Sequence, residues 1–122
     1  MTLVVRDGNG SSQNIKTATI GGELLQVVLP ALGTTAAITH VAQATADGVL
    51  LASNTSRIRA RIYNDTAAGN LKISLNGAVT STNYSVVLAP GGYIEIDDYT
   101  GAIHGLWDAS GTGQAMITET TP

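Results

Sequence analysis

The stretch "YTGAIHGLWDASGTG", Tyr99 to Gly113, holds the residues best placed to do chemistry: one of two histidines, the one tryptophan and an adjacent aspartate. As a general base, His104 would need a carboxylate to orient it, from Asp97, Asp98 or Asp108, and a serine as nucleophile. The strained G-x-S-x-G turn that presents such a serine is missing, and His40 belongs to a different strand with no partner at ligand spacing. Asp97 and Asp98 would make half of a glycosidase or calcium site. Neighbours on a strand point to opposite faces, however, and no D-x-D-x-D-G loop follows. The pair Trp107-Asp108 occurs once, whereas a propeller needs one copy in each blade of roughly 40 to 45 residues. "DGNG" (Asp7 to Gly10) and "GTG" (Gly111 to Gly113) lack the lysine and the strand-to-helix setting of a phosphate loop, and read as turns. These patterns argue against an enzyme, a cofactor and a metal centre. Both histidines read as residues on half-buried strands.

The one concentrated basic feature is "RIRARIYN" (Arg57 to Asn64), whose arginines are half of all the Lys and Arg in the chain. Strand alternation puts Arg57, Arg59, Arg61 and Tyr63 on one face and Ile58, Ala60 and Ile62 on the other. The acidic face of Glu95 and Asp97 is the natural partner, across neighbouring strands or across a subunit boundary, where arginine favours paired carboxylate contacts. Exposed pairs add little stability, so their use would be register and choice of partner. A nucleic-acid role is disfavoured by the net charge of -3 and because the aromatics interleaved with the arginines are limited to Tyr63. A sugar-stacking patch of Tyr84, Tyr93, Tyr99 and Trp107 is the alternative binding role.

The elements that would position these residues are strands. Of 122 residues, 43 % are hydrophobic and 12 % charged, with no Phe and no Cys, so the core is aliphatic and disulfides are excluded. No apolar run approaches the roughly 20 residues of a membrane span, and "MTLVVRDGNG" does not read as a signal peptide, which leads us to expect a protein made in the cytoplasm. "TLVVR" (Thr2 to Arg6), the DGNG turn and "SSQNIKT" suggest an N-terminal hairpin or arm. "ELLQVVL" (Glu23 to Leu29) reads as a strand ending at Pro30, and "PALGTTAA" as a linker. "ITHVAQAT" (Ile38 to Thr45) reads as a strand, although its alanines would also allow a helical turn. "NLKISLN" (Asn70 to Asn76), with Leu71, Ile73 and Leu75 inward, looks like the antiparallel partner of the arginine strand across "DTAAG". Val86 and Leu88, then Ile94 and Ile96, then Gly101 to Trp107 and "QAMITE" complete the strands. Gly105 suggests a bulge, and Trp107 is expected inside or at a subunit contact. Turn signals recurring at intervals of roughly 8 to 12 residues indicate an all-β fold. We expect an antiparallel β-sandwich, jelly-roll-like. It would form a single domain overall, with 1–30 as N-terminal hairpin or arm and first strands and 31–122 as the sandwich.

The run from "LLASNTSRIRARIYN" through "TNYSVVLAPGGYIEI" and "YTGAIHGLW" to the terminal Thr-Glu resembles structural proteins of tailed bacteriophages. "LVVRDGNGSSQNIKT" is similar to the opening of many phage virion proteins. The resemblance implies a non-enzymatic virion component without cofactor, most simply a capsid decoration (cement) protein, with a tail, neck or fibre component as the alternative. Its partners would be other virion proteins, the major capsid protein or tail and neck proteins, and further copies of itself, with no nucleic acid and no membrane. Exposed sandwich edges are templates for strand addition, and the apolar start of the chain is a suitable donor. The expected assembly interface is therefore Leu3, Val4, Val5 and Arg6, with Arg57, Arg59, Arg61, Glu95, Asp97 and Trp107.

Overall fold

The computed structural model describes the strands Thr17–Ile20 and Glu23–Gln26 and residues 32–122. The chain divides into two units, Met1–Pro30 and Ala31–Pro122. In the first, β1 (Thr17–Ile20) pairs antiparallel with β2 (Glu23–Gln26), which is the first half of the strand expected at Glu23 to Leu29. The hairpin expected from Thr2 through the DGNG turn, with Leu3, Val4, Val5 and Arg6, lies outside the described residues.

The second unit is an antiparallel β-sandwich. Its strands are β3 (Thr35–Ala42), β4 (Gly48–Leu51), β5 (Arg59–Asp65), β6 (Leu71–Ser74), β7 (Val86–Leu88), β8 (Tyr93–Asp97), β9 (Ile103–Trp107) and β10 (Gln114–Thr121). They form two four-stranded sheets, β3-β10-β5-β8 and β4-β9-β6-β7. The pairs β3/β10, β4/β9, β5/β8 and β6/β7 are those of one long hairpin, β3 to β6 going out and β7 to β10 returning. Rolling that hairpin so that alternate pairs fall in opposite sheets gives the eight-stranded jelly roll.

Period-two alternation decides which residues meet between the sheets. Ala60, Ile62, Ile96, Ala115 and Ile117 come from one sheet, and Leu50, Leu71, Ile73, Leu88, Ile103 and Trp107 from the other. Gly105 admits the close approach of Leu50: a Cβ there would lie 2.7 Å from the Leu50 side chain. The bulge suggested by Gly105 falls on the partner strand, where the register shifts between Val49 and Leu51.

Three expectations are corrected. First, β5 and β6 are not an antiparallel pair but lie in opposite sheets. The buried Asn64 side chain turns this corner, its Nδ2 donating to the carbonyls of Gly69 at 2.9 Å and Leu88 at 3.0 Å. Gly69 holds a φ of 112°, a conformation side chains disfavour. Second, the arginine strand begins at Arg59, and Arg57 is buried ahead of it instead of sharing the exposed face. Third, the end of the "PALGTTAA" linker is strand: β3 starts at Thr35 and stops at Ala42. Gln43 closes it by donating to Ala68 and Ala109 carbonyls and accepting from the Gly113 N–H.

Candidate functional site

The outer face of the β3-β10-β5-β8 sheet carries the ion-paired Arg59, Arg61, Glu95 and Asp97 together with exposed Ile38, Tyr63 and Tyr93. Register aligns them in rows across the strands. One row is Tyr93, Tyr63, Met116 and His40; the next is Glu95, Arg61, Thr118 and Ile38; the third is Asp97, Arg59, Thr120 and Ala36. Arg59 Nε donates to Asp97 Oδ1 at 2.7 Å, and its guanidinium lies 3.8 Å from Glu95. The Asp97 hydrogen bond and charge, with Glu95, raise the Arg59 pKa above its ordinary value. Arg61 Nε stands 3.8 Å from Glu95 Oε1, beyond hydrogen-bond reach, and its guanidinium carbon is 4.5 Å from the centre of the Tyr93 ring. Arg59, Arg61, Glu95 and Asp97 thus pair across neighbouring strands of one chain. Beside them Arg61, Tyr63, Tyr93, Met116 and Thr118 line a shallow depression of about 330 Å³.

Among the described residues, no strand pairs with β3 on the side away from β10. Four strands end the two sheets: β3, β8, β4 and β7. β8 carries Glu95 and Asp97, β4 has four residues and a register shift, and β7 has three. Charge, shortness and irregularity are the usual protections against unwanted strand pairing. β3 has none of them: Thr-Ala-Ala-Ile-Thr-His-Val-Ala is eight residues long, without Lys, Arg, Asp, Glu, Pro or Gly, and nearly all exposed. Ile38 is 68 % exposed. The Gln43 N–H donates to the Gly113 carbonyl at 2.9 Å, which sets the phase of the ladder. By alternation the backbone groups of Ala36, Ile38, His40 and Ala42 then point away from β10, to the open side.

Other expected site residues lie in the interior. Arg57, 5 % exposed, donates through Nε to Glu119 Oε2 at 2.7 Å and through its terminal nitrogens to the carbonyls of Tyr99, Gly101 and Ala52. Its donors face groups of its own chain. Trp107, 1 % exposed, packs inside the sandwich, and its Nε1–H donates to Asn64 Oδ1 at 2.9 Å. The Tyr99 hydroxyl is likewise turned inward, against the carbonyls of Leu75 and Ala102. Trp107 and Tyr99 therefore leave the sugar-stacking patch, while Tyr84 and Tyr93 are exposed.

The carboxylate beside His104 is one that the sequence reading did not consider. His104 Nδ1 lies 3.0 Å from Asp47 Oδ1, which also accepts the Val79 N–H at 2.9 Å. The Val79 bond first, then His104, hold the Asp47 pKa below the usual carboxylate value. Ser74 is the cross-strand neighbour of His104, but its hydroxyl accepts from the Asn76 N–H and makes no hydrogen bond to the imidazole. Asp108 instead accepts hydrogen bonds from the backbone and side-chain N–H groups of Asn70, which lower its pKa. Among the described residues, no group of three or more His, Asp or Glu side chains is arranged to hold a metal ion, and no helix is long and apolar enough to cross a membrane.

No protein-family model and no curated protein matches the chain. Among solved structures it is similar to a chain described under the heading "Bacillus endospore appendages form a novel family of disulfide-linked pili". The identity is 14 %, the match covers 80 % of this chain and 96 % of that one, and the TM-score is 0.45. A likeness at that level says nothing of this chain's function, and this sequence has no cysteine.

Proposed function

We propose that the chain is a non-enzymatic structural protein of a tailed-phage virion, a decoration module that joins its neighbours by strand addition at β3. The observation that carries the reading is the edge strand β3: eight uncharged residues, seven of them exposed, with no partner beyond it among the described residues and outward backbone groups at Ala36, Ile38, His40 and Ala42. Such an edge accepts an extended segment through main-chain hydrogen bonds. The apolar stretch Leu3, Val4, Val5 and Arg6 of an adjacent copy is a donor of the right composition. Jelly rolls recur in viral capsid domains, but a fold hosts many functions, so the fold adds only compatibility. The resemblance to phage virion proteins supplies the particle. Arg59, Arg61, Glu95 and Asp97 have partners within the sheet, so on this account they hold register and are not the primary contact.

The test is attachment of purified protein to virions stripped of it, with Ile38→Pro as the variant. Proline at Ile38 removes an N–H that points to the open side and leaves the β10 ladder intact, a position where edge strands tolerate it. We expect a folded protein that no longer binds particles or self-associates. Unchanged attachment by Ile38→Pro, or absence of the wild-type chain from the virion, overturns the proposal.

A further inference from the structure

We propose that the Asn76-Gly77 turn after β6 is a site of spontaneous covalent modification, where the Asn76 amide is lost as ammonia and the chain acquires aspartate or isoaspartate. This rests on the chemistry of that turn and not on the virion reading. Asn76 and Gly77 are both exposed. Among the described residues neither the Asn76 side-chain amide nor the Gly77 N–H has a hydrogen-bond partner; the Asn76 main-chain N–H alone is held, by the Ser74 hydroxyl at 3.2 Å. Gly77 has a φ of 79°, and a Cβ placed there would meet nothing within 4 Å, so the turn stands clear of its surroundings.

Asparagine is among the thermolabile residues, and its loss needs a mobile amide followed by a main-chain nitrogen that no side chain shields. The Gly77 nitrogen gives up its proton and bonds to Asn76 Cγ, the Cγ–Nδ2 bond breaks, and Nδ2 takes a proton and departs as ammonia, leaving a succinimide. Water then adds to one of the two ring carbonyls and opens the ring, to aspartate or to isoaspartate, whose main chain runs through the former side chain. The other described asparagines each lack a requirement. Asn64 is buried with both ends of its amide bonded, Asn70 Nδ2 donates to Asp108 Oδ2 at 2.9 Å, and Asn54 Oδ1 accepts from the Ser56 N–H at 3.0 Å. Asn83 is exposed, but the side chain of Tyr84 crowds the nitrogen that would attack.

Isoaspartate adds one methylene to the main chain of a loop fixed at both ends. The Leu75 carbonyl accepts from the Tyr99 hydroxyl, and Val79, 2 % exposed, donates its N–H to Asp47 Oδ1 at 2.9 Å. Lengthening the chain between these points disturbs the contact through which Asp47 also meets His104.

The test is incubation of the full chain in mildly alkaline buffer at body temperature for several weeks, then peptide mapping with electron-transfer fragmentation, which tells isoaspartate from aspartate. Mapping also separates Asn76 from the other Asn-Gly pair, Asn9-Gly10, which lies outside the described residues. We expect Asn76 to convert at least tenfold faster than Asn54, Asn64, Asn70 or Asn83, with isoaspartate among the products. The deamidated fraction, isolated by its added negative charge, should melt below Asn76→Asp, which carries that charge on a chain of unchanged length. An Asn76 that keeps its amide, or that converts no faster than Asn83, overturns the proposal. Equal melting of the deamidated fraction and Asn76→Asp overturns the link to Val79 and Asp47.

Discussion

Replacing Asn64 by leucine tests the corner that sends β5 and β6 into opposite sheets. Asn64 is fully buried, its Nδ2 donating to Gly69 and Leu88 carbonyls and its Oδ1 accepting from Trp107 Nε1 and the Thr66 hydroxyl. Leucine keeps the branching at Cγ but has no polar atoms, so it removes the hydrogen bonds, and its bulkier methyl groups add some overpacking at this buried site. The Thr66 hydroxyl already lies 3.2 Å from the Gly69 carbonyl and can commit to it. That leaves the Trp107 N–H and the Leu88 carbonyl without the Asn64 amide. A buried polar group deprived of its partner costs about 1–3 kcal/mol, which gives about 2–6 kcal/mol for the pair. Such a loss is a large share of the roughly 5–15 kcal/mol that stabilises a domain. Urea unfolding followed by far-ultraviolet circular dichroism is the assay, because the only tryptophan is part of the perturbation. Trp107→Phe removes one of the two orphaned groups, so the double variant should lose about 1 kcal/mol or more less than the sum of the singles. A loss below about 1 kcal/mol for Asn64→Leu, or an additive cycle, would refute the hub.

Gly105→Val drives a side chain into buried Leu50, 2.7 Å from the added Cβ; overpacking of this kind costs about 1–3 kcal/mol, and Leu50→Ala in the same chain should recover part of it. Urea midpoints of the single and double variants check this, and a neutral Gly105→Val contradicts it. Asp47 and Asp108 have folded pKa values below the ordinary 3.8, so each contributes stability that is present above that value and lost as pH falls through the lowered one. Thermal unfolding between pH 6 and pH 2, bounds chosen as roughly spanning the carboxylate range, should show a fall at the acid end. Asp47→Asn should flatten that fall, and an unchanged profile would remove Asp47 from the account. Ile38→Pro should abolish attachment and self-association without unfolding the sandwich.

The strands were legible wherever a side chain's face follows from period two. Arg59–Asp65, Tyr93–Asp97 and Ile103–Trp107 alternate as read, because one face of each packs inward. What alternation does not specify is which sheet a strand joins. "DTAAG" suits a hairpin between neighbours as well as an arch across the sandwich, and the arch wins through a buried side chain, Asn64. The available signal was a polar residue at the inward position of Ala60, Ile62 and Asn64. Arg57 was misplaced because the alternation was extended one turn too far; its guanidinium is buried only because Glu119 and three carbonyls, all distant in sequence except Ala52, converge on it. His104 acquires Asp47 from a loop 57 residues away, a pairing no local pattern contains. β3 was half hidden for a related reason: alanine and threonine carry little periodic contrast, and an edge strand exposed on both faces has no apolar alternation to reveal it. The tyrosines and the tryptophan were visible, but that Trp107 and Tyr99 turn inward follows from contacts with residues distant in sequence, Asn64 and Leu75.

The most direct measurement is an electron cryomicroscopy map, at a resolution that separates strands, of the virion in which the chain is proposed to sit. The account predicts the jelly roll at ordered positions on the head, with a strand from a neighbouring molecule hydrogen-bonded along the open side of β3 at Ala36, Ile38, His40 and Ala42. A map in which that edge faces solvent, or virions that lack the chain, would contradict it.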